Sequence, residues 1–337
     1  MFKIKVLNQK VLTEVLDMKN VLDVIEEVYV LKSEGKTELF PMVFHEFNPG
    51  VADMDIKSGK LKDVDIFGLK LVSWFGENKE KNLPLLIGTV LIFDSKTGVP
   101  LALLNADHIT GMRTGAAGAI GAKYLSRKDS KTLLMVGTGH ISKFEIAATL
   151  LAIESIDTVK IYDPMAFEYA QDFQKNIATI LEKEFSINKN IKFVAIESIE
   201  AGVKSSDIII TATPSRKPLI KKEWVKPGTH ISCVGADMEG KQEIDENIFA
   251  CAKVVVDDIN QAINVGETET AIKKGIITKD DIISEIGEII AGKIKGRTSD
   301  DDITIFDTTG MAIQDLITAK LALDLADKKQ LGITIEL

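Results

Sequence analysis

The stretch Thr132-Leu-Leu-Met-Val-Gly137-Thr-Gly139-His-Ile-Ser142 decides how this chain is read, because an apolar run stops at a glycine turn and a helical pattern begins directly after it. The order is strand, turn, helix. Gly137 permits the tight turn, Gly139 leaves the backbone bare where a pyrophosphate approaches, and the first N–H groups of the helix carry the partial positive charge that phosphates need. The third small position is Ser142. A second apolar run, Thr158 to Tyr162, ends in Asp163, at about the distance expected of the acidic residue that holds an adenine ribose. Together the two runs predict a Rossmann-type nucleotide site. The competing reading is an ordinary βα turn with Asp163 capping a strand end.

Downstream of Lys131, strand and helix patterns alternate. Thr132 to Val136 is followed by a helix from about Lys143, then Thr158 to Tyr162, a helix over 167–185, and strands at 191–195, 208–211 and 230–234. Such alternation predicts a parallel sheet with helices on both faces. Ligands of these sheets bind beyond the carboxyl ends of the strands, so the candidate residues are 137–141 (Gly137, Thr138, Gly139, His140, Ile141), Asp163, Thr213-Pro214-Ser215 and Gly235-Ala236-Asp237.

Upstream, the N-terminal MFKIKVLNQKVL alternates like a strand, and Met18 to Gly35 carries Val21, Leu22, Ile25, Val28 and Tyr29 at helical spacing. From Asp65 to Asn105 short apolar runs, 66–73, 85–93 and 100–104, are separated by turn residues, including 79–82. A helix over 109–125 follows, unusually rich in Gly111, Gly115, Gly118 and Gly121. Each glycine costs about 1 kcal/mol of helix propensity relative to alanine, a loss tolerated where another backbone must come close. At the far end, Ile303 to Phe306 reads as a strand and Met311 to Leu321 as an amphipathic helix that returns to the first domain.

With 337 residues, 45% hydrophobic and 27% charged, the chain can bury a large core, and its length suggests two domains. A net charge of −9 argues against nucleic-acid and anionic-membrane partners, which would need a basic surface. Cys233 and Cys251 lie in apolar surroundings without a CxxC pair and read as buried free thiols in a reducing compartment. The four histidines are scattered singly and predict no metal set. With no signal-peptide pattern and no run of membrane length, a cytoplasmic location is expected.

Several motifs occur in a fixed order: Gly68-Leu-Lys70, Thr110-Gly-Met-Arg113-Thr114-Gly-Ala, Val136-Gly-Thr-Gly139, Thr211-Ala-Thr213-Pro, Gly235-Ala-Asp237-Met-Glu-Gly240-Lys-Gln-Glu243, and Asp302 to Asp315 with Asp307-Thr-Thr-Gly310 inside it. In this order the chain resembles the ornithine cyclodeaminase and mu-crystallin family over nearly its whole length. The resemblance implies an α/β fold: a Rossmann-type doubly wound parallel sheet over 114–309, and a second α/β domain for substrate and dimerisation built from 1–113 and 310–337. It implies an NAD(P) cofactor, a small amino-acid substrate and a homodimer.

The resemblance also implies roles. Arg113 matches the arginine that grips the substrate carboxylate, Lys70 the lysine beside the reacting amine and carboxylate, and Asp237 the catalytic aspartate. Read bare, Arg113 and Lys70 would be solvated and Asp237 could equally be a helix cap. Thr213 and Asp163 match cofactor positions, with Thr114, Pro214, Val234 and Gly235 completing the expected cofactor-binding set. The Asp163 carboxylate favours NAD over NADP, because a ribose 2′-phosphate would meet like charge.

The implied reaction is conversion of ornithine to proline and ammonia through hydride transfer, imine formation and cyclisation, with Asp237 as base. The alternatives are an alanine-type dehydrogenase, a cyclic ketimine reductase, condensation of two amino acids, and a crystallin-like, nucleotide-dependent ligand-binding protein. Retention of Lys70, Arg113 and Asp237 together favours an enzyme. Two positions depart from the family pattern: Met42 stands where many cyclodeaminases carry a second carboxylate-binding arginine, and Ile141 replaces the usual glutamine after the glycine turn. Asp53 and Asp55 could meet a cationic substrate amine, or form a solvated turn.

Overall fold

Alternate residues of a single strand enter two different cores. Leu133 and Met135 pack with Ile208 and Ile210 on one face of a sheet, while Leu134 and Val136 pack with Ile209 and Ile231 on the other. Side chains alternate across a strand, so a strand covered on both faces must be apolar at every position. This is why Thr132–Val136 and Ile208–Thr211 read as unbroken hydrophobic runs. Each fully buried Leu or Ile contributes roughly 1.5–3 kcal/mol relative to exposure.

The computed structural model describes residues 1–337. They form two compact units, Thr114–Gly310, and Met1–Arg113 together with Met311–Leu337. In the Thr114–Gly310 unit eight strands form an all-parallel sheet. Thr132–Val136 lies inside it, with Thr158–Tyr162 and then Lys192–Ala195 on one side. On the other side come Ile208–Thr211, His230–Cys233, Ile303–Asp307, Ala252–Val256 and Ile282–Glu285. The order reverses between Thr132–Val136 and Ile208–Thr211, the place where ligands of open parallel sheets bind. Helices Ser142–Ala152 and Phe167–Phe185 cover one face. Ile199–Lys204, Ile259–Val265 and Thr268–Lys273 supply the second core.

The glycine-rich helix runs over Ala106–Leu125. A Cβ on Gly115 would lie 2.5 Å from the Phe144 backbone, on Gly118 2.2 Å from the Glu145 carboxylate, and on Gly121 2.2 Å from the Phe306 ring. Helical propensity is given up there for close contact with helix Ser142–Ala152 and with strand Ile303–Asp307.

The other unit is built on an eight-stranded sheet ordered Ile333–Glu336, Lys3–Leu7, Pro100–Asn105, Leu86–Asp94, Ile66–Phe75, Ala52–Leu61 and Thr37–Leu39, with Val43–Asn48 also paired to Ala52–Leu61. Every pair is antiparallel except Lys3–Leu7 with Pro100–Asn105. Helices Met18–Ser33 and Ala312–Lys328 pack on one another, and the second lies across Ala52–Leu61 and Ile66–Phe75.

Several expectations are corrected. The N-terminal strand stops at Leu7, because the Asn8 side chain accepts a hydrogen bond from the Val11 N–H at 3.0 Å and starts an additional helix, Gln9–Val15. The segment containing residues 79–82 is largely a short 3₁₀ helix, Gly76–Lys81, closed by Asn82 at φ 55°. Asp53 and Asp55 belong to the strand Ala52–Leu61 and are half-buried, so they do not form a solvated turn. Cys233 is buried but Cys251 is exposed, since it ends a 3₁₀ turn, Glu246–Cys251, outside the sheet.

Candidate functional site

In the Thr114–Gly310 unit the glycine turn leaves its strand with Gly137 at φ 105°, a conformation that L side chains rarely adopt. A Cβ at Gly137 would also lie 2.8 Å from the Ala212 carbonyl, at the neighbouring strand's end. The Ser142 hydroxyl donates to the Gly137 carbonyl at 2.9 Å and ties the turn to the helix it opens. Asp163 closes the turn from the second strand: one carboxylate oxygen accepts from the Thr138 N–H at 3.1 Å and the Thr138 hydroxyl at 2.6 Å. Its other oxygen accepts from the Met165 N–H at 2.9 Å. Gly139 and His140 are exposed, Ile141 is half-buried, and a Cβ built on Gly139 meets nothing within 4 Å. That open backbone is the cradle a phosphate needs.

A buried carboxylate joins the next two strand ends. One oxygen of Glu243 accepts from the Thr213 N–H and hydroxyl, both at 2.7 Å; the other accepts from the Thr211 hydroxyl at 2.7 Å and the Gly235 N–H at 2.9 Å. Glu267 in turn accepts from the Glu243 and Ile244 N–H groups. Burial pushes both glutamates up, Glu267 strongly, and the neighbouring charge of Glu243 adds to the shift at Glu267. Asp307, which accepts from the Thr268 N–H and hydroxyl, is pushed up to about 7 by burial. Pro214 is exposed, Val234 half-buried and Thr114 buried. Asp237 follows these ends with its side chain 47% exposed and paired to Lys241.

In the other unit Lys70 and Arg113 converge on Asp315. The Lys70 Nζ lies 2.9 Å from one carboxylate oxygen and the Arg113 Nε 3.0 Å from the other. All three are buried, at 3%, 7% and 0% exposure. The close approach has a cause in the sequence: Gly68, two residues before Lys70, would place a Cβ 2.9 Å from Leu316. Without side chains at such positions, helix Ala312–Lys328 brings Asp315 onto the sheet. Gln314 fixes the first turn of that helix, accepting from the Met311 N–H and donating to the Tyr29 hydroxyl, both at 2.7 Å.

Burial, then the charge of Arg113, lowers Lys70 to about 8 against the opposing pull of Asp315. Burial alone would raise Asp315, but Arg113 and Lys70 hold its carboxyl below the usual range. Two cations on one carboxylate leave positive charge over, which suits an incoming carboxylate. Neither cation is the solvated residue that its local sequence suggests.

The candidate residues therefore gather into three groups: the glycine turn with Asp163, Thr213 with Gly235, and Lys70 with Arg113. Met42 is 47% exposed, whereas Asp53 and Asp55 lie half-buried on a strand that pairs with the one carrying Lys70. Reading the sequence alone assigned no role to Asp315, Glu243 or Glu267. A signal was present for Asp315, since Gln314 and Asp315 interrupt an otherwise apolar helix start and buried polar groups need partners.

Alanine dehydrogenase of Archaeoglobus fulgidus is 37% identical over 337 residues, 98% of each chain. A solved archaeal alanine dehydrogenase dimer with bound NAD, also 37% identical, covers both chains fully with a TM-score of 0.90. The Thermococcus litoralis Δ1-pyrroline-2-carboxylate reductase, solved with NADH and L-proline, is 32% identical over 98% of this chain and all of its own, TM-score 0.90. Iminosuccinate reductase of Paracoccus denitrificans, solved with NAD+, is 30% identical over the whole of both chains, TM-score 0.90. Residues 3–330 match the model of one family, and the chain belongs to it: the ornithine cyclodeaminase/mu-crystallin family.

Proposed function

We propose that this protein is an NAD-linked oxidoreductase that interconverts a small amino acid and its imine. The observation that carries the reading is the buried Lys70–Asp315–Arg113 set, two cations held on one carboxylate with positive charge to spare. The open backbone at Gly139 and the carboxylate of Asp163 fit NAD, and relatives of 30–37% identity are solved with NAD(H). Bound cofactor supplies or takes the hydride at the carbon bearing nitrogen.

The chain's own residues do the rest. Arg113 and Lys70 bind the substrate carboxylate through charge-assisted hydrogen bonds, and Asp315 keeps both cations in place and favours the charged form of Lys70. Asp237 holds the proton that the substrate nitrogen gains on reduction and takes it back in the reverse direction. Glu243 keeps Thr213 and Gly235 in fixed positions at the cofactor side.

Cyclodeamination of ornithine is a second reading, favoured by half-buried Asp53 and Asp55 as partners for a distal ammonium. Stoichiometry separates the two. An oxidoreductase releases one NADH per amino acid oxidised, whereas a cyclodeaminase turns ornithine into proline and ammonia with catalytic NAD and no net NADH. The test is incubation of an amino-acid and imine panel with NAD or NADH, following cofactor and product together. Proline from ornithine at substoichiometric NAD, with no cofactor consumed by any other substrate, rejects the first reading.

We also propose a homodimer formed through the unit that contains both chain ends. Phe40, Met42, Phe44, Phe47, Leu86 and Ile87 are 41–56% exposed there, an apolar surface of the kind that marks an interface. The archaeal alanine dehydrogenase is solved as a dimer. A monomer in sedimentation at micromolar concentration contradicts this.

A further inference from the structure

The strands on either side of the glycine turn end in register, Val136 beside Tyr162, and the Gly137 N–H donates to the Tyr162 carbonyl at 2.8 Å. The residues that follow, Thr138 and Asp163, are thereby held against one another. Both donors of Thr138, its N–H at 3.1 Å and its hydroxyl at 2.6 Å, fall on the same Asp163 oxygen. The other oxygen accepts from the Met165 N–H at 2.9 Å, an Asx turn across Pro164, which has no N–H to compete.

An ionised carboxylate offers about four acceptor positions, two on each oxygen. At Asp163 the chain's own donors fill three of them, and Thr138 alone fills both on one oxygen. One position stays open, on the oxygen that the Met165 N–H shares. A ribose brings two neighbouring hydroxyls, so the site as built answers only one.

We propose that Thr138 is a specificity-determining residue of the cofactor site: its hydroxyl occupies the acceptor position that a second ribose hydroxyl would take, so that Asp163 holds the adenine ribose by its 2′-hydroxyl alone. The proposal rests on the reading of Asp163 as the ribose acid and deepens it. An acidic residue at this place in a dinucleotide fold takes the 2′-hydroxyl, which leaves the 3′-hydroxyl as the one displaced. The Thr138 contact prevails because it lies within the chain and forms without the loss of freedom that a ligand incurs on binding. A β-branched side chain, stiff about χ1, keeps the hydroxyl aimed at the carboxylate. Of the three donors only this hydroxyl belongs to a side chain, so residue 138 alone decides whether the second position is open. The weaker hold suits an enzyme that exchanges its cofactor at every turnover.

The test measures binding of NAD, and of its analogues lacking the 2′- or the 3′-hydroxyl of the adenine ribose, to the full-length protein by calorimetry at constant ionic strength. In the unmodified protein, loss of the 2′-hydroxyl is expected to weaken binding about tenfold or more, as for a hydrogen bond to a charged acceptor, and loss of the 3′-hydroxyl by less than about twofold. Thr138→Val keeps the shape and opens the position. NAD should then bind about threefold to tenfold tighter, and loss of the 3′-hydroxyl should cost that same factor. Thr138→Ser, which keeps a hydroxyl, should behave as the unmodified protein, and Thr138→Ala replaces the valine should that variant not fold. A merely structural threonine would shift all three ligands alike, and that result overturns the proposal. If both hydroxyls count equally in the unmodified protein, or if Thr138→Val leaves the cost of losing the 3′-hydroxyl unchanged, the proposal is overturned and Asp163 stands as the ribose acid. If neither hydroxyl counts, the reading of Asp163 falls and the proposal falls with it.

Discussion

Lys70 and Asp315 meet at 2.9 Å from opposite ends of the chain, one on a sheet strand and the other in the first turn of the last long helix, both almost wholly buried. Their contact ties the last long helix to the sheet and offsets part of the burial that lowers Lys70 to about 8.

Asp315→Ala leaves Lys70 and Arg113 buried together without their counter-ion. Breaking a buried pair from one side costs about 3–5 kcal/mol, so the midpoint of urea unfolding should fall accordingly. Loss below 1 kcal/mol would mean that water already screens the cluster.

The pH dependence of substrate capture follows from Lys70, which burial lowers to about 8. In the proposed role the charged form, present below that pH, binds the substrate carboxylate and the neutral form, dominant above it, does not. For the free enzyme kcat/KM should therefore fall as pH rises through about 8, and Lys70→Met should remove that limb together with most of the activity. A flat profile to pH 9.5 contradicts the assignment.

Asp163→Ser removes the carboxylate that would repel a ribose 2′-phosphate. The preference for NADH over NADPH should narrow, read from fluorescence titrations of both at one salt concentration. Equal or tighter NADPH binding by the unmodified protein rejects the argument.

Asp237→Asn keeps size and hydrogen bonding but cannot accept a proton. Turnover on a confirmed substrate should drop by about two to four orders of magnitude, with the circular dichroism spectrum unchanged. Near-normal turnover would leave Asp237 as the surface partner of Lys241.

Glu243→Gln replaces one acceptor by an amide NH₂ that must face donors from either Thr213 or Thr211 and Gly235. A loss of about 1–3 kcal/mol in stability is expected, with weaker NAD binding measured by calorimetry. Unchanged NAD affinity would separate the glutamate from the cofactor side.

The parallel sheet was readable in advance because burial on both faces forces continuous apolar runs, and Thr132–Val136, Thr158–Tyr162 and Ile208–Thr211 begin and end where those runs do. Thr37–Leu39, Val43–Asn48 and Ala52–Leu61 were not legible. Their residues are exposed or half-buried over most positions, so polar and apolar side chains mix without a clear boundary. The glycine turn and Asp163 could be paired from local spacing alone. Asp315 and Glu243 could not, since a carboxylate in a helix or strand does not announce a partner that lies far away in the chain, as Lys70 does for Asp315.

The buried acids of the Thr114–Gly310 unit have a thermodynamic consequence. Glu243, Glu267, Asp257 and Asp307 all bind protons more tightly in the folded chain than the same groups do in water, Asp307 up to about 7. His230 shifts the opposite way, to about 3, so it is neutral in the folded chain and keeps about a quarter of a proton at pH 7 when unfolded, a smaller and opposing effect. At neutral pH, folding of this unit therefore draws protons from solution, and stability declines as pH rises through the raised acid range. The heat measured on unfolding will then include the ionisation heat of whatever buffer receives those protons, so scans in phosphate and in Tris at one pH should differ in enthalpy.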